Sequence, residues 1–264
     1  MPKQKGLIQL TGTLEGICYY QLNGKYISRK AVGPSKERIN KDPAFANVKS
    51  NNQEFGAASK LSKAIRLGLS VNAKTFKDTY MASRLSGVCR KIIQKGRGKL
   101  GQREANLFNH PKALIGFQLN KSNPFNETYT ANPSVSINKS RTQINISIPK
   151  STKNNLKNVP KPATHVQLTA ALSTVSNYHW STKQNSYNPV HPEQNGLGTS
   201  QQTQALEITN AHHNIEIQLN SPIKSNIAEN VAITVWLGLT FLEKRNNKFI
   251  PLKTAQAMQG VAVL

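Results

Sequence analysis

The chain has 264 residues, with 35 Lys or Arg against 12 Asp or Glu and a net charge of +23. That length allows one large or two small domains around a real core, and the 37% apolar residues fall in periodic runs, which excludes global disorder. A small domain needs a charge of only about 2–8 for solubility, so this excess points to a polyanionic partner, nucleic acid or an anionic surface.

The positive charge is concentrated in the first part of the chain. Residues 1–120 carry 22 basic against 6 acidic residues, net +16, and residues 121–264 carry 13 against 6, net +7. The two cysteines, Cys18 and Cys89, make neither a disulfide framework nor a zinc-ligand spacing, as in a reducing compartment. Neither the basic start nor the apolar stretch 231–242 is long enough for a signal peptide or a membrane span. A cytoplasmic location is the expectation.

Residues 6–32 read as a β-hairpin, with Leu7, Ile8, Leu10, Ile17, Tyr19, Tyr20, Tyr26 and Ile27 as β-prone positions and Asn23-Gly24 as a tight turn. Asp42-Pro43 supplies a capping acid and a first-turn proline for a helix. Phe45, Val48, Phe55, Leu61, Ile65 and Leu69 follow at helical spacing, with Gly56 and Gly68 weakening the helix but permitting close packing. A second helix is predicted over 73–95, with Phe76, Tyr80, Leu85, Val88 and Ile92 on one stripe and Gly96 as its stop.

Beyond residue 112 the period changes. Leu114 to Leu119 is a run of strand length, and 134–138 and 143–148 alternate around an Asn138-Lys139-Ser140-Arg141 turn. Residues 150–163 read as a connection, and 177–204, rich in Asn, Gln, Ser and Pro, as a long exposed loop. Further strands are expected at 165–175, 205–209, 214–219, 231–243, 248–252 and 260–264. The fold class expected is α+β: an N-terminal hairpin and basic helical pair (1–112), then an antiparallel β-sandwich-like region (113–264).

The opening Leu10-Thr11-Gly12-Thr13-Leu14-Glu15-Gly16 with Tyr19-Tyr20, then Asp42-Pro43-Ala44-Phe45-Ala46 with Asn52 and Glu54-Phe55-Gly56, then His165-Val166-Gln167-Leu168 with Val175, form an ordered set. In these motifs the chain resembles a family of uncharacterised bacterial proteins typical of the Bacteroidota. The resemblance implies no known activity.

No motif in the sequence specifies catalysis or a cofactor. Gly96-Arg97-Gly98-Lys99-Leu100-Gly101 lacks the Ser or Thr after Lys99 that a P-loop needs for magnesium, and it leaves a helix rather than joining strand to helix. It reads either as a basic connection or as a backbone-phosphate clamp with Arg97, Lys99 and Arg103. His191-Pro192-Glu193 with His179 is the nearest approach to a metal group, and nothing in the spacing fixes its geometry. His110 and His165 stand apart, and neighbouring His212 and His213 would face opposite sides of a strand. Cys89 beside Arg90 and Lys91 has a setting that lowers a thiol pKa, but no base accompanies it. No Gly-x-Ser-x-Gly elbow or paired-carboxylate pattern is present. The expectation is a non-enzymatic protein without metal or cofactor.

Basic helices are the most specific functional signal. If their apolar stripes face a core, Lys49, Lys60, Lys63, Arg66, Lys74 and Lys77 face outward, joined by Arg90, Lys91 and Lys95 at the end of the second helix and by Arg97, Lys99 and Arg103 beyond it. Such an array binds the phosphates of DNA or RNA with little sequence preference. The alternative is a structural or assembly protein acting through the β region, or an acidic protein partner for the helices.

Overall fold

The computed structural model describes every residue except Met1, Leu7, Val32 and His213. It divides into two compact units, Met1–Lys49 and Ser50–Leu264. In the first unit, strands β1 (Gly12–Leu14), β2 (Ile17–Leu22) and β3 (Lys25–Lys30) form a meander in the order β1-β2-β3. Asn23 and Gly24, at φ +51° and +75°, make the tight turn that the dipeptide predicts, and Glu15-Gly16 repeats it at +46° and +75°. The predicted Leu7 position lies outside the described residues. A short helix α1 (Lys36–Lys41) follows, capped by Ser35. Asp42 then caps a 3-10 turn, Pro43–Phe45, by accepting the Ala44 N–H at 3.0 Å, the structural form of the predicted Asp-Pro start.

The second unit is built on one long antiparallel sheet. After α2 (Ala46–Leu69), α3 (Val71–Thr75), α4 (Met81–Ile93) and the single turn α5 (Phe125–Thr128) come β4 (Ser134–Ile137), β5 (Gln143–Ile148), β6 (His165–Ser176), β7 (Tyr178–Ser181) and β8 (Ser186–Pro189). The chain closes with β9 (Gly198–Gln202), β10 (Leu206–Glu207), β11 (Ile215–Asn220), β12 (Val231–Arg245) and β13 (Lys248–Val263). The main sheet runs β10-β6-β12-β13, with β9 also pairing β6, and a smaller sheet runs β11-β5-β4.

Alternation along β12 explains how the sheet is covered on both faces. Val231, Ile233, Val235, Leu237, Leu239 and Phe241 project to one side, where they bury against Ile144, Ile146, Ile148, Ile217 and Leu219 of the smaller sheet. Ala232 and Trp236 project to the other side and meet Leu61, Ile65, Leu69, Leu85, Ile92 and Ile93 of the helices. The layers are therefore helices, main sheet, small sheet. The mixed α+β class and the sandwiched sheets follow the sequence expectation. The division expected near 112 does not coincide with the observed one, because the helices before it and the strands after it share one core.

Four elements differ from their sequence reading. The predicted helix 73–95 is broken between Thr75 and Met81, where buried Phe76 turns inward and Asp78 accepts the N–H groups of Tyr80 and Lys121 at 2.9 Å each. Residues 114–119 are not a strand. Gly116 at φ +81° interrupts them, and they pair with β13 through one bridge, Gln118 to Gln259. The polar stretch 177–204 holds the β7-β8 hairpin and β9. Its tyrosines Tyr178 and Tyr187 are buried, and the Asn195 side chain accepts from the Ser176 N–H (3.0 Å) while donating to the Tyr178 hydroxyl (2.6 Å). Finally, the two strands expected at 248–252 and 260–264 are one strand, β13, which pairs β12 through register shifts.

Candidate nucleic-acid interface

The burial of α2 sets the geometry of its charges. Its buried face is Glu54, Ala57, Ala58, Leu61, Ser62, Ala64, Ile65, Gly68 and Leu69, more than half of them small. Phe55 and Val48, read from the sequence as part of the apolar stripe, are exposed. Small residues let the helix lie close on the sheet: Ser173 Oγ on β6 donates to the Ala64 carbonyl at 3.2 Å, and Gly68 lies against Ser173 and Leu197.

Three of the twelve predicted cations, Lys60, Arg90 and Arg103, make contacts that join one element to another. Glu54 is fully buried and receives Arg103 in a bidentate pair, Nε to Oε1 and Nη2 to Oε2, both 2.7 Å. Its Oε1 also accepts the Gly101 N–H at 2.9 Å, and Arg90 Nε stands 3.9 Å from Oε2 while its Nη2 donates to Asn51. Burial pushes the Glu54 carboxyl upward, but the Arg103 hydrogen bonds, the Gly101 N–H and the charges of Arg103 and Arg90 outweigh it and hold it below its ordinary value. The Lys60 ammonium donates to the Tyr187 carbonyl, and the Tyr187 hydroxyl in turn donates to the Gly101 and Arg103 carbonyls. Burial raises the Tyr187 pKa, so the hydroxyl remains a donor.

These contacts fix the glycine loop. The Gly101 N–H is held by Glu54, the Gln102 N–H by the Lys99 carbonyl and the Glu104 N–H by the Arg97 carbonyl. Three of the loop's backbone donors are therefore occupied, and the loop presents Arg97 and Lys99 as exposed side chains. Gly96, expected as the helix stop, serves close approach instead: a Cβ there would lie 2.3 Å from the Glu104 carbonyl oxygen.

The remaining cations form two groups at opposite ends of α4, whose 13 residues span about 20 Å. Lys91, Lys95, Arg97 and Lys99 are exposed at its C-terminal end, where cations suit the helix dipole. Lys63, Arg66, Lys74 and Lys77 line a cleft of about 360 Å³ between the end of α2, α3 and the start of α4. Lys49 lies in the first unit and is half-buried.

Convergence at the cleft follows from local structure. Lys63 and Arg66 are one turn apart on α2. Ser70 then reverses the chain at φ +51°, ψ −124°, a conformation that costs a non-glycine residue roughly 1–3 kcal/mol and so marks a position held by its surroundings. Beyond the turn, Lys74 and Lys77 line the same cleft as Lys63 and Arg66. Buried Ala73 and Met81 and half-buried Ala82 give the cleft an apolar lining, exposed Leu67 adds to it, and Ser70 and Thr79 add hydroxyls. Among the described residues the three lysines make no ion pair, and Arg66 donates its Nε to the Ser62 carbonyl at 3.3 Å. Among those residues, too, Asp78 is the one acid on the lining, and it is paired to Arg84 at 2.6 Å. Burial pushes its carboxyl upward, but the Lys121 N–H, Arg84 and the Tyr80 N–H hold it below its ordinary value, so it stays ionised and neutralised by Arg84.

The other candidate groups do not assemble into a site. His191 Nδ1 lies 3.1 Å from Glu193, and among the described residues no three His, Cys, Asp or Glu side chains come together as metal ligands. His213 lies outside the described residues. Cys89 is completely buried, which pushes its thiol up to about 12 despite the neighbouring cations. Titration of native protein with an aromatic disulfide reagent is therefore expected to modify half-buried Cys18 alone. Cys89 is expected to react only in denaturant, and rapid reaction of both thiols in native protein contradicts this burial.

Glu54, Ser70 and Thr79 were missed in the sequence. Glu54 leaves a trace there, because it precedes Ala57, Ala58 and Leu61 at intervals of three, four and seven residues on the packed face. Ser70 and Thr79 leave none. Among the described residues, no helix is long and apolar enough to cross a membrane. Comparison with protein-family models, curated proteins and solved structures finds no match to the chain.

Proposed function

We propose that the chain is a non-enzymatic binding protein whose partner is a nucleic acid, held through backbone phosphates by the helical part of the second unit. The observation that carries this reading is the cleft, where four cations converge and the lining carboxylate of Asp78 is already neutralised. Phosphates entering it displace counterions and meet cations that make no ion pair among the described residues. The second group, Lys91 to Lys99, extends the positive surface along α4. Lys60, Arg90 and Arg103 stand outside the binding set, since their charges serve the fold.

The test is a fluorescence titration of nuclease-treated protein with labelled DNA and RNA across a range of salt. Binding is expected to weaken linearly in log salt. The variant Lys63→Gln, Arg66→Gln, Lys74→Gln, Lys77→Gln is expected to reduce the salt slope by about 1.4–1.8, two phosphates neutralised in the cleft at roughly 0.7–0.9 each. Replacing Lys60 and Arg90 instead is expected to lower thermal stability, with the salt slope kept. Absence of binding at low salt, or a quadruple variant that binds like the parent, overturns the reading.

A further inference from the structure

We propose that the cleft between α2, α3 and α4 seats one unpaired nucleotide unit, so that the protein prefers single-stranded nucleic acid or a strand end to an intact duplex. The inference rests on the nucleic-acid reading above and adds to it the form of the ligand.

Shape supplies the first argument. The phosphates of a duplex lie on the outside of a cylinder whose major groove alone is about 12 Å wide. A convex or flat basic surface meets such a cylinder, but the four cations here stand on the walls of a concavity of about 360 Å³. That volume lies in the range of pockets that enclose small molecules, about 300–1,000 Å³. A duplex cannot enter it, and a single nucleotide is of the right scale.

The lining supplies the second argument. A site for a bare phosphate needs only cations and N–H donors, yet here Leu67, Ala73, Met81 and Ala82 add apolar surface to the lining. Such surface suits the uncharged part of a nucleotide, the sugar edge or base face, while Lys63, Arg66, Lys74 and Lys77 take the phosphates on either side. The hydroxyls of Ser70 and Thr79 can donate to phosphate or sugar oxygens. Among the described residues no aromatic ring lines the cleft, so the strong stacking that many single-strand binders use is missing here. Recognition through charge and apolar contact gives modest affinity per nucleotide and little base preference.

The placement of the charges supplies the third argument. Lys63 and Arg66 are separated by about 4.5 Å of helical rise, and Lys74 and Lys77 line the same cleft from the chain beyond Ser70. Four cations in one cleft match a strand that passes through it with a phosphate entering and another leaving. They do not require a terminal phosphate.

The experiment compares three labelled ligands of equal phosphate number at one salt concentration: a single strand, a blunt duplex and a duplex with an unpaired overhang. The single strand and the overhang are expected to bind at least tenfold more tightly than the blunt duplex. Two variants that keep all four cations then fill the concavity. Thr79→Leu starts from an exposed turn residue, and Ala82→Leu starts from a half-buried lining residue. Each adds bulk without a stacking ring and is expected to reduce the ratio of single-strand to duplex affinity about tenfold, with folding checked by circular dichroism, and Thr79→Leu serves alone if Ala82→Leu fails to fold. Equal affinity for single strand and duplex, or a ratio unmoved by Thr79→Leu, overturns the inference and leaves the polyanion reading intact. Loss of all three ligands at low salt overturns both.

Discussion

Replacing Glu54 by Ala is expected to destabilise the second unit by about 3 kcal/mol, toward the lower end of the cost of breaking a buried ion pair. The carboxylate is fully buried while Arg103 keeps 19% of its side chain exposed, so the guanidinium left behind reaches water and limits the loss. Removing the other partner is expected to cost more. Arg103→Ala leaves a carboxylate with no access to solvent, facing only the Gly101 N–H and Arg90 at 3.9 Å, and about 4 kcal/mol is the expectation. A double replacement by apolar residues, Glu54→Met with Arg103→Met, is expected to cost less than either single change to Ala, because no charge remains buried. Urea unfolding of these proteins and of the Glu54→Ala, Arg103→Ala double variant measures the costs, and the cycle built from the Ala variants gives the coupling. Strict additivity would show that Glu54 and Arg103 act independently, which their two 2.7 Å hydrogen bonds do not allow.

The same pair predicts a response to acid. The carboxyl of Glu54 is held below its ordinary value in the folded state, so its contribution is complete above the unfolded pKa of about 4.3. That contribution is lost as pH falls through the lower folded value. Asp78, depressed through Arg84 and two backbone N–H groups, acts in the same direction. The parent protein is expected to lose stability steeply below pH about 4, and Glu54→Gln to show a shallower loss there. Equal acid slopes would remove Glu54 from the account.

Much of the main sheet was legible because strand alternation survives burial on both faces. In β12 the residues Val231 through Phe241 at odd positions are large and apolar, and the interrupting Thr234, Gly238 and Thr240 fall on the helical side. The face of α2 was less legible, because its packing uses small residues. Ala57, Ala58, Ala64 and Gly68 carry little apolar weight in a periodicity count, whereas Phe55 carries much and is exposed. The β7-β8 hairpin was hidden because side-chain amides and two tyrosines, rather than aliphatic residues, anchor it.

The candidate site was half legible. Its cations are plain in the sequence, but their meeting depends on the break at 76–80, which an apolar stripe continuing through Phe76 and Tyr80 conceals. Which cations are consumed depends on Glu54 pointing inward, and a helical acid next to exposed Phe55 gives only the weak signal of its spacing. Net charge alone does not separate exposed cations from Lys60, Arg90 and Arg103, which make contacts to β8, Glu54 and the backbone after α4.

One kind of substitution, glycine to alanine, is expected to change stability in opposite directions at different places on these helices. A Cβ at Gly68 would lie 2.2 Å from Ser173 Oγ, 2.5 Å from Ser173 Cβ and 2.7 Å from the Leu197 carbonyl oxygen. A Cβ at Gly198, on the facing strand β9, would lie 2.2 Å from the Gly68 carbonyl oxygen and 2.3 Å from that of Leu172. Both contacts at Gly198 are with backbone, which cannot turn aside, so relief requires α2 to move off the sheet. Gly198→Ala is therefore expected to cost about 3 kcal/mol or more, at the upper end of overpacking. Gly68→Ala is expected to cost about 2 kcal/mol, since alanine's helix propensity returns up to about 1 kcal/mol. Ser173→Gly should recover part of that cost by removing the two nearest atoms. At Gly56 on α2 and Gly87 on α4 an added methyl would have no heavy atom within 4 Å among its tertiary neighbours, and there alanine is expected to stabilise by about 0.5–1 kcal/mol. Thermal unfolding of the four single variants reads both signs at once. Stabilisation by Gly198→Ala would mean that α2 does not lie on β9 at backbone contact.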